Sequence, residues 1–143
     1  MAKEIKTARA RWVEGLEFEA TTGSQHQITL DASVAAGGKN HGPSPIEMLL
    51  VGLAGCTGMD VVDILKKKRQ AVSGLEVRVA GTRAETHPMV YTEIEVTYIV
   101  RGKDVSPKAV EDAIHLSETK YCGAGAMLGK TAKIQSHYEL VPE

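Results

Sequence analysis

Pro43-Ser44-Pro45-Ile46-Glu47-Met48-Leu49-Leu50, continuing as Val51-Gly52-Leu53-Ala54-Gly55-Cys56-Thr57-Gly58-Met59, is the stretch on which the fold turns. Ser44-Pro45-Ile46-Glu47 is a capping box with proline at the first helical position, so a helix starts there. It is predicted over about residues 45–68, ending in Lys66-Lys67-Lys68-Arg69, where cations favour the negative helix end. From Ile46 to Leu65 it is apolar on nearly every face, which predicts a helix covered all round. Roughly 24 residues extend about 36 Å. A domain of 143 residues has a radius of gyration of only about 14–15 Å. One small sheet cannot cover both sides of such a helix, so a second copy of the chain is expected to cover the rest. Gly52, Gly55 and Gly58 each cost about 1 kcal/mol against alanine. Close approach by another backbone or by a substrate is the expected reason for them. The uncharged run 48–59 falls short of the roughly 18 residues that span a bilayer, so a buried helix is expected rather than a membrane anchor.

Upstream, residues 7–13, 16–20 and 25–30 read as strands, with Gly15 and Gly23 at the turns, giving an antiparallel meander within residues 1–34. The segment from Ala35 to Pro43 is a glycine-rich loop. Downstream, Leu75, Val77 and Val79 alternate with Glu76, Arg78 and Ala80, and Ile94, Val96 and Tyr98 alternate with Glu93, Glu95 and Thr97. Each strand has one wet and one dry face, so a β-hairpin is predicted over about residues 74–100. A second helix starts near Ser106-Pro107, a short one follows Tyr121-Cys122-Gly123, and a last strand covers residues 132–140. The helices and last strand thus fill residues 106–140 of a single domain, 1–143.

Composition narrows the function. Seventeen basic and 18 acidic residues leave a formal charge of −1, with no electrostatic pull toward nucleic acid or a membrane surface. One Trp, one Phe and four Tyr make a base-stacking platform improbable and an aliphatic core necessary. Met1-Ala2-Lys3-Glu4-Ile5-Lys6 lacks the apolar run of a signal peptide, and a cytosolic location is expected. His26, His41, His87, His115 and His137 show no metal-ligand spacing. Gly123-Ala124-Gly125 follows no strand and is no dinucleotide fingerprint. No cofactor or metal is expected.

Two cysteines, Cys56 and Cys122, are too few for a disulfide scaffold and are either packed hydrophobes or reactive thiols. At about 100° per residue, Cys56 shares a helix face with Leu49, Gly52, Leu53, Met59, Asp60 and Asp63, a possible pocket wall. Its mid-helix position gives no help from the helix dipole, so a thiolate there needs a cation from elsewhere. Cys122 has Lys120 near it and glycines after it, the more reactive setting of the two. Glu47 is a cap by position, nine residues before Cys56 and about 13 Å along the axis. Asp60 and Asp63 read as an interface pair or an exposed rim.

Three segments then resemble the OsmC/Ohr family, and its YhfA-like branch in particular: Pro43 to Leu50, Gly52-Leu53-Ala54-Gly55-Cys56, and Glu118-Thr119-Lys120-Tyr121-Cys122. Arg11-Trp12-Val13-Glu14-Gly15-Leu16 and Met127-Leu128 carry the likeness to that branch. The resemblance implies an α+β fold in which antiparallel sheets wrap long central helices in an intertwined homodimer. It implies thiol-dependent reduction of organic hydroperoxides, a role in oxidative-stress defence, with Cys56 attacking the peroxide and Cys122 closing a disulfide that an external dithiol reduces. It further implies an activating arginine from the partner's hairpin, held by a glutamate. Here the family's glutamate position, directly after the proline, is Ile46, with Glu47 one step on. The hairpin turn Glu14-Gly15-Leu16-Glu17 lacks the arginine, leaving Arg11 or Arg9 as the nearest cations. A rival expectation follows from those departures: the same dimer binding a small apolar or acyl-like ligand, with little or no peroxidase activity.

Overall fold

The computed structural model describes residues 3–143, which form two compact units divided between Met48 and Leu49. The first unit is a three-stranded antiparallel meander of β1 (Ala8–Glu14), β2 (Glu17–Thr22) and β3 (Gln27–Leu30), in that spatial order. Gly15 takes φ +53° at the first hairpin, a left-handed conformation that glycine adopts without steric cost. Its carbonyl receives the Trp12 indole N–H at 2.8 Å.

After β3 the chain is gripped by one carboxylate. Asp31, 3% exposed, accepts backbone N–H groups from Ala32 at 2.7 Å, His41 at 3.1 Å and Lys39 at 3.2 Å. These bonds, that from Ala32 foremost, hold its carboxyl below the ordinary carboxylate range. The glycine-rich loop predicted from composition is therefore a pinned loop.

Helix α1 (Pro45–Lys67) opens on the predicted capping box. The Ser44 backbone N–H donates to Glu47 Oε2 at 2.7 Å, the Ser44 hydroxyl to the same oxygen at 3.0 Å, and the Glu47 amide to Ser44 Oγ at 3.3 Å. In the second unit the helix buries Leu53, Thr57, Val61 and Leu65, one side chain per turn. The expectation of burial on all faces fails within one chain: Leu49, Val51 and Met59 are 48, 57 and 75% exposed. Each position on the buried line is four residues from the next, and Leu49, Val51 and Met59 lie off that line. Likewise, Gly58 alone of the three helix glycines meets a neighbour, Val77 at 3.4 Å from an ideal Cβ, whereas Gly52 and Gly55 face open space. By length and composition α1 also passes for a membrane-crossing helix, longer than its uncharged run suggests. Its buried line against the sheet is that of a core helix.

The second sheet has the order β4-β5-β6, from β4 (Ala71–Arg83), β5 (Tyr91–Lys103) and β6 (Lys133–Pro142). β4 and β5 are the predicted antiparallel hairpin, but β6 runs parallel to β5, so this sheet is mixed rather than antiparallel throughout. The physical reason is the long connection: α2 (Pro107–Leu116) and α3 (Gly123–Leu128) carry the chain back, as a parallel pair requires. The core is largely aliphatic, with Val61, Leu65, Val100 and Val110 fully buried beside the equally buried Tyr98.

Candidate functional site

The site lies in the second unit, where α1, β5, β6 and the segment after α2 converge. Ser106 caps α2, its hydroxyl accepting the Ala109 N–H at 3.2 Å. α2 then widens into a single π turn, Ser117–Tyr121, closed by the Cys122 N–H on the Ser117 carbonyl at 2.8 Å. Such turns recur at functional sites because the extra residue re-aims the side chains around it. Here it aims Ser117 inward, leaves Glu118 at the surface, and sets Cys122 at the N-cap of α3.

Cys122 is buried, at 5% exposure, and its sulfur accepts the Gly125 N–H at 3.3 Å. Burial pushes its thiol up to about 11, the Gly125 hydrogen bond opposes that rise, and Cys56 adds to it as a side-chain hydrogen-bond neighbour. Cys122 is thus a neutral thiol at neutral pH. The expected help from Lys120 is absent, since its ammonium lies over the Tyr121 ring, 5.2 Å from the centroid. Cys56, half-buried on α1, is free, as is Cys122. Cys56, 66 positions earlier in the sequence, is a side-chain neighbour of Cys122.

A cavity of about 190 Å³ opens beside Cys122, lined by the apolar Leu53, Val96 and Ile134 and by the polar Thr57, Tyr98 and Glu118. Four hydrogen bonds run from it through the core. Tyr98 donates to Glu118 Oε2 at 3.2 Å and lies 2.8 Å from Thr57 Oγ1. Thr57 is 2.7 Å from Ser117 Oγ, and Ser117 donates to Asp60 Oδ2 at 2.9 Å. Glu118 also takes the Ser136 hydroxyl. Thr57, Tyr98 and Ser117 are at most 2% exposed, and burial is the chief cause that raises the Tyr98 phenol well above its usual range. Sequence reading missed this chain. Its one visible signal was Thr57, the single polar residue on the line Leu53, Thr57, Val61, Leu65.

Glu47 belongs to the first unit and is occupied as the α1 cap, which lowers its carboxyl through the Ser44 backbone and hydroxyl bonds. Arg9 and Arg11 lie on β1, opposite Thr21 and Glu19, both exposed and without an ion-pair partner among the described residues. Asp63 forms an ion pair with Lys67 at 2.7 Å, whereas Asp60 joins the buried chain, so the two carboxylates do not act as a pair. Glu17, Asp31 and His41 converge in the first unit closely enough to surround an ion. The Asp31 oxygens are engaged by three amides, and His41 Nδ1 lies 2.7 Å from Glu17 Oε1, the geometry of a loop latch.

A long helix backed by a mixed sheet, with a buried cysteine on the lining of a small cavity, defines an α+β protein of a distinct class. The chain belongs to the OsmC family: the model for OsmC-like protein matches residues 37–137. It is similar to Protein YhfA of Escherichia coli (strain K12), 43% identical over 134 residues that cover 94% of this chain and 97% of that one. A hypothetical protein from Aquifex aeolicus VF5 shares the fold with a TM-score of 0.87 and 35% identity, covering 99% of both chains. More distant in fold is the organic hydroperoxide resistance protein OhrB of Bacillus subtilis, with a TM-score of 0.64 and 17% identity over 95% of this chain and 98% of that one.

Proposed function

We propose that this protein is a thiol-dependent reductase of organic hydroperoxides, working as a homodimer in the cytosol. The observation that carries the reading is Cys122 on the lining of a small cavity with Cys56 as its side-chain neighbour. Membership of a family whose distant fold neighbours include an organic hydroperoxide resistance protein supports it.

The chemistry balances with those two thiols alone. The Cys56 thiolate attacks the outer peroxide oxygen; the S–O bond forms, the O–O bond breaks, and the alkoxide leaves as alcohol after taking a proton. The Cys122 sulfur then attacks the sulfenic sulfur, forming the disulfide and releasing water. An external dithiol restores both thiols. Cys56 is the half-buried partner and Cys122 the buried, neutral one, which suits them to attack and resolution respectively. The cation that favours the Cys56 thiolate comes, in this reading, from the β1 strand of a second copy, by Arg11 or Arg9. Glu47 positions the start of α1.

Purified protein mixed with cumene hydroperoxide and dithiothreitol is expected to consume peroxide, and Cys56→Ser to abolish turnover. In Cys122→Ser the Cys56 sulfenic acid should accumulate and be trapped by dimedone. An unreacted Cys56 thiol under these conditions would refute the proposal. The rival reading, an apolar ligand-binding dimer, draws on the apolar Leu53, Val96 and Ile134 in the cavity lining. The cavity of about 190 Å³ lies below the roughly 300–1,000 Å³ usual for small-molecule sites, which favours the peroxide reading. Native mass spectrometry showing a retained lipid-like ligand with inert thiols would reverse that preference.

A further inference from the structure

Five oxygen-bearing side chains, Glu118, Tyr98, Thr57, Ser117 and Asp60, are joined by four hydrogen bonds, but their three hydroxyls supply only three protons. With Tyr98 donating to Glu118 and Ser117 to Asp60, the single Thr57 proton faces two neighbours that both already donate outward. One contact is therefore always short of a proton while both carboxylates are ionised. One proton arriving on Glu118 completes the row, each hydroxyl then donating toward Asp60. The two ends line separate pockets, and Asp60 also acts electrostatically on Cys122, disfavouring its thiolate. Glu118 lines the thiol cavity and an outer groove with Glu111, His115 and His137. Asp60 lines a separate groove with Asp63, Lys67, Lys68 and Tyr121.

We infer that this chain is a proton relay that deprotonates Cys122 when the disulfide closes, with Glu118 as the acceptor in the cavity and Thr57 as the pivot. The inference rests on the redox reading above. The step is balanced. The Cys122 sulfur attacks the Cys56 sulfenic sulfur, the S–S bond forms and the S–O bond breaks, and hydroxide leaves. The Cys122 proton passes to Glu118, directly or through one water, for which the cavity has room. Tyr98, Thr57 and Ser117 each hand on one proton, Asp60 releases one to its groove, and the hydroxide takes one from solvent. Cys122 is oxidised, Cys56 is reduced, and the net products are disulfide and water. Glu118 acts on the reacting thiol; Tyr98, Thr57 and Ser117 are positioning residues.

A role in core packing predicts the same hydrogen bonds, so the test needs a readout that packing does not move. The rate of Cys56–Cys122 closure is measured by acid quench and mass spectrometry in wild type, Thr57→Val, Thr57→Ser and Glu118→Gln. Two oxidants are used in separate arms: stoichiometric cumene hydroperoxide, and diamide, which takes two electrons and two protons from the same thiols. At pH 7, Thr57→Val and Glu118→Gln are expected to close about tenfold or more slowly, within the range of general acid–base effects, and Thr57→Ser at the wild-type rate. The deficit should shrink as pH rises toward 11, where the Cys122 thiol yields its proton to solvent unaided. Equal rates at pH 7, or a deficit that persists at every pH, would overturn the relay. Wild type that is inert to peroxide but closes with diamide would defeat the peroxidase reading while the diamide arm still decides the relay. A pair that closes with neither oxidant overturns both.

Discussion

In the folded chain Cys122 keeps its proton to about pH 11, whereas an ordinary cysteine gives it up near 9. Between those values the unfolded chain binds fewer protons than the folded one, so stability falls as pH rises. The melting temperature of wild type is expected to be insensitive to this group below pH 9 and to drop on titration to 11. Cys122→Ala should flatten that part of the profile; superimposable curves for the two proteins would show that the buried thiol is not its source. Tyr98, raised by burial in the same sense, adds a loss at still higher pH. At this scale the sequence told which residues carry chemistry and not which of them meet. Cys56 and Cys122 were both conspicuous, but whether they are neighbours depends on the register of α1 against the turn after α2. Thr57, Tyr98 and Ser117 come from three separate elements, and nothing local to any of them marks a shared chain.

Helix α1 shows the opposite balance between local and tertiary control. Its start was legible to the residue, because the capping box is a contact between positions three apart and needs no other element. Its buried face was not, since apolar side chains surround it and the elements packed on it, the sheet through Tyr98 and the π turn through Ser117, select the line through Leu53 and Leu65. That selection has a measurable cost. Leu65, fully buried, is expected to cost about 2–5 kcal/mol on substitution by alanine, read as a lower denaturation midpoint at unchanged slope. Strand β6 was placed correctly along the chain but its direction was not. Alternation reports which face is dry and is silent on parallel against antiparallel pairing, which the length of the preceding connection decides.

Over the molecule as a whole, the exposed side chains of α1 are the chief unresolved surface. Val51, Met59, Val62, Leu75 and Val77 line one open apolar groove together with Ala54, Gly55 and Gly58. Contiguous apolar surface of this kind marks an interaction site, and the two open helix glycines would admit a closely packed backbone. The homodimer predicted from helix length is the occupant that the proposed function requires. Sedimentation velocity is expected to give a dimer whose melting temperature rises with protein concentration. Val51→Asp should convert it to a monomer and remove that dependence; a wild-type monomer at all concentrations would leave the cation of a second copy without a route to Cys56.

The Asp31 latch bears on how the protein meets acid. Three backbone amides depend on one carboxylate, and its bonds to them favour the ionised form. The stabilisation is present above the usual carboxylate range and lost as pH falls through the lowered value, so strong acid should release the segment between Asp31 and His41. A protease active in acid would then find a cleavage point in the N-terminal unit that Asp31→Asn exposes already at neutral pH.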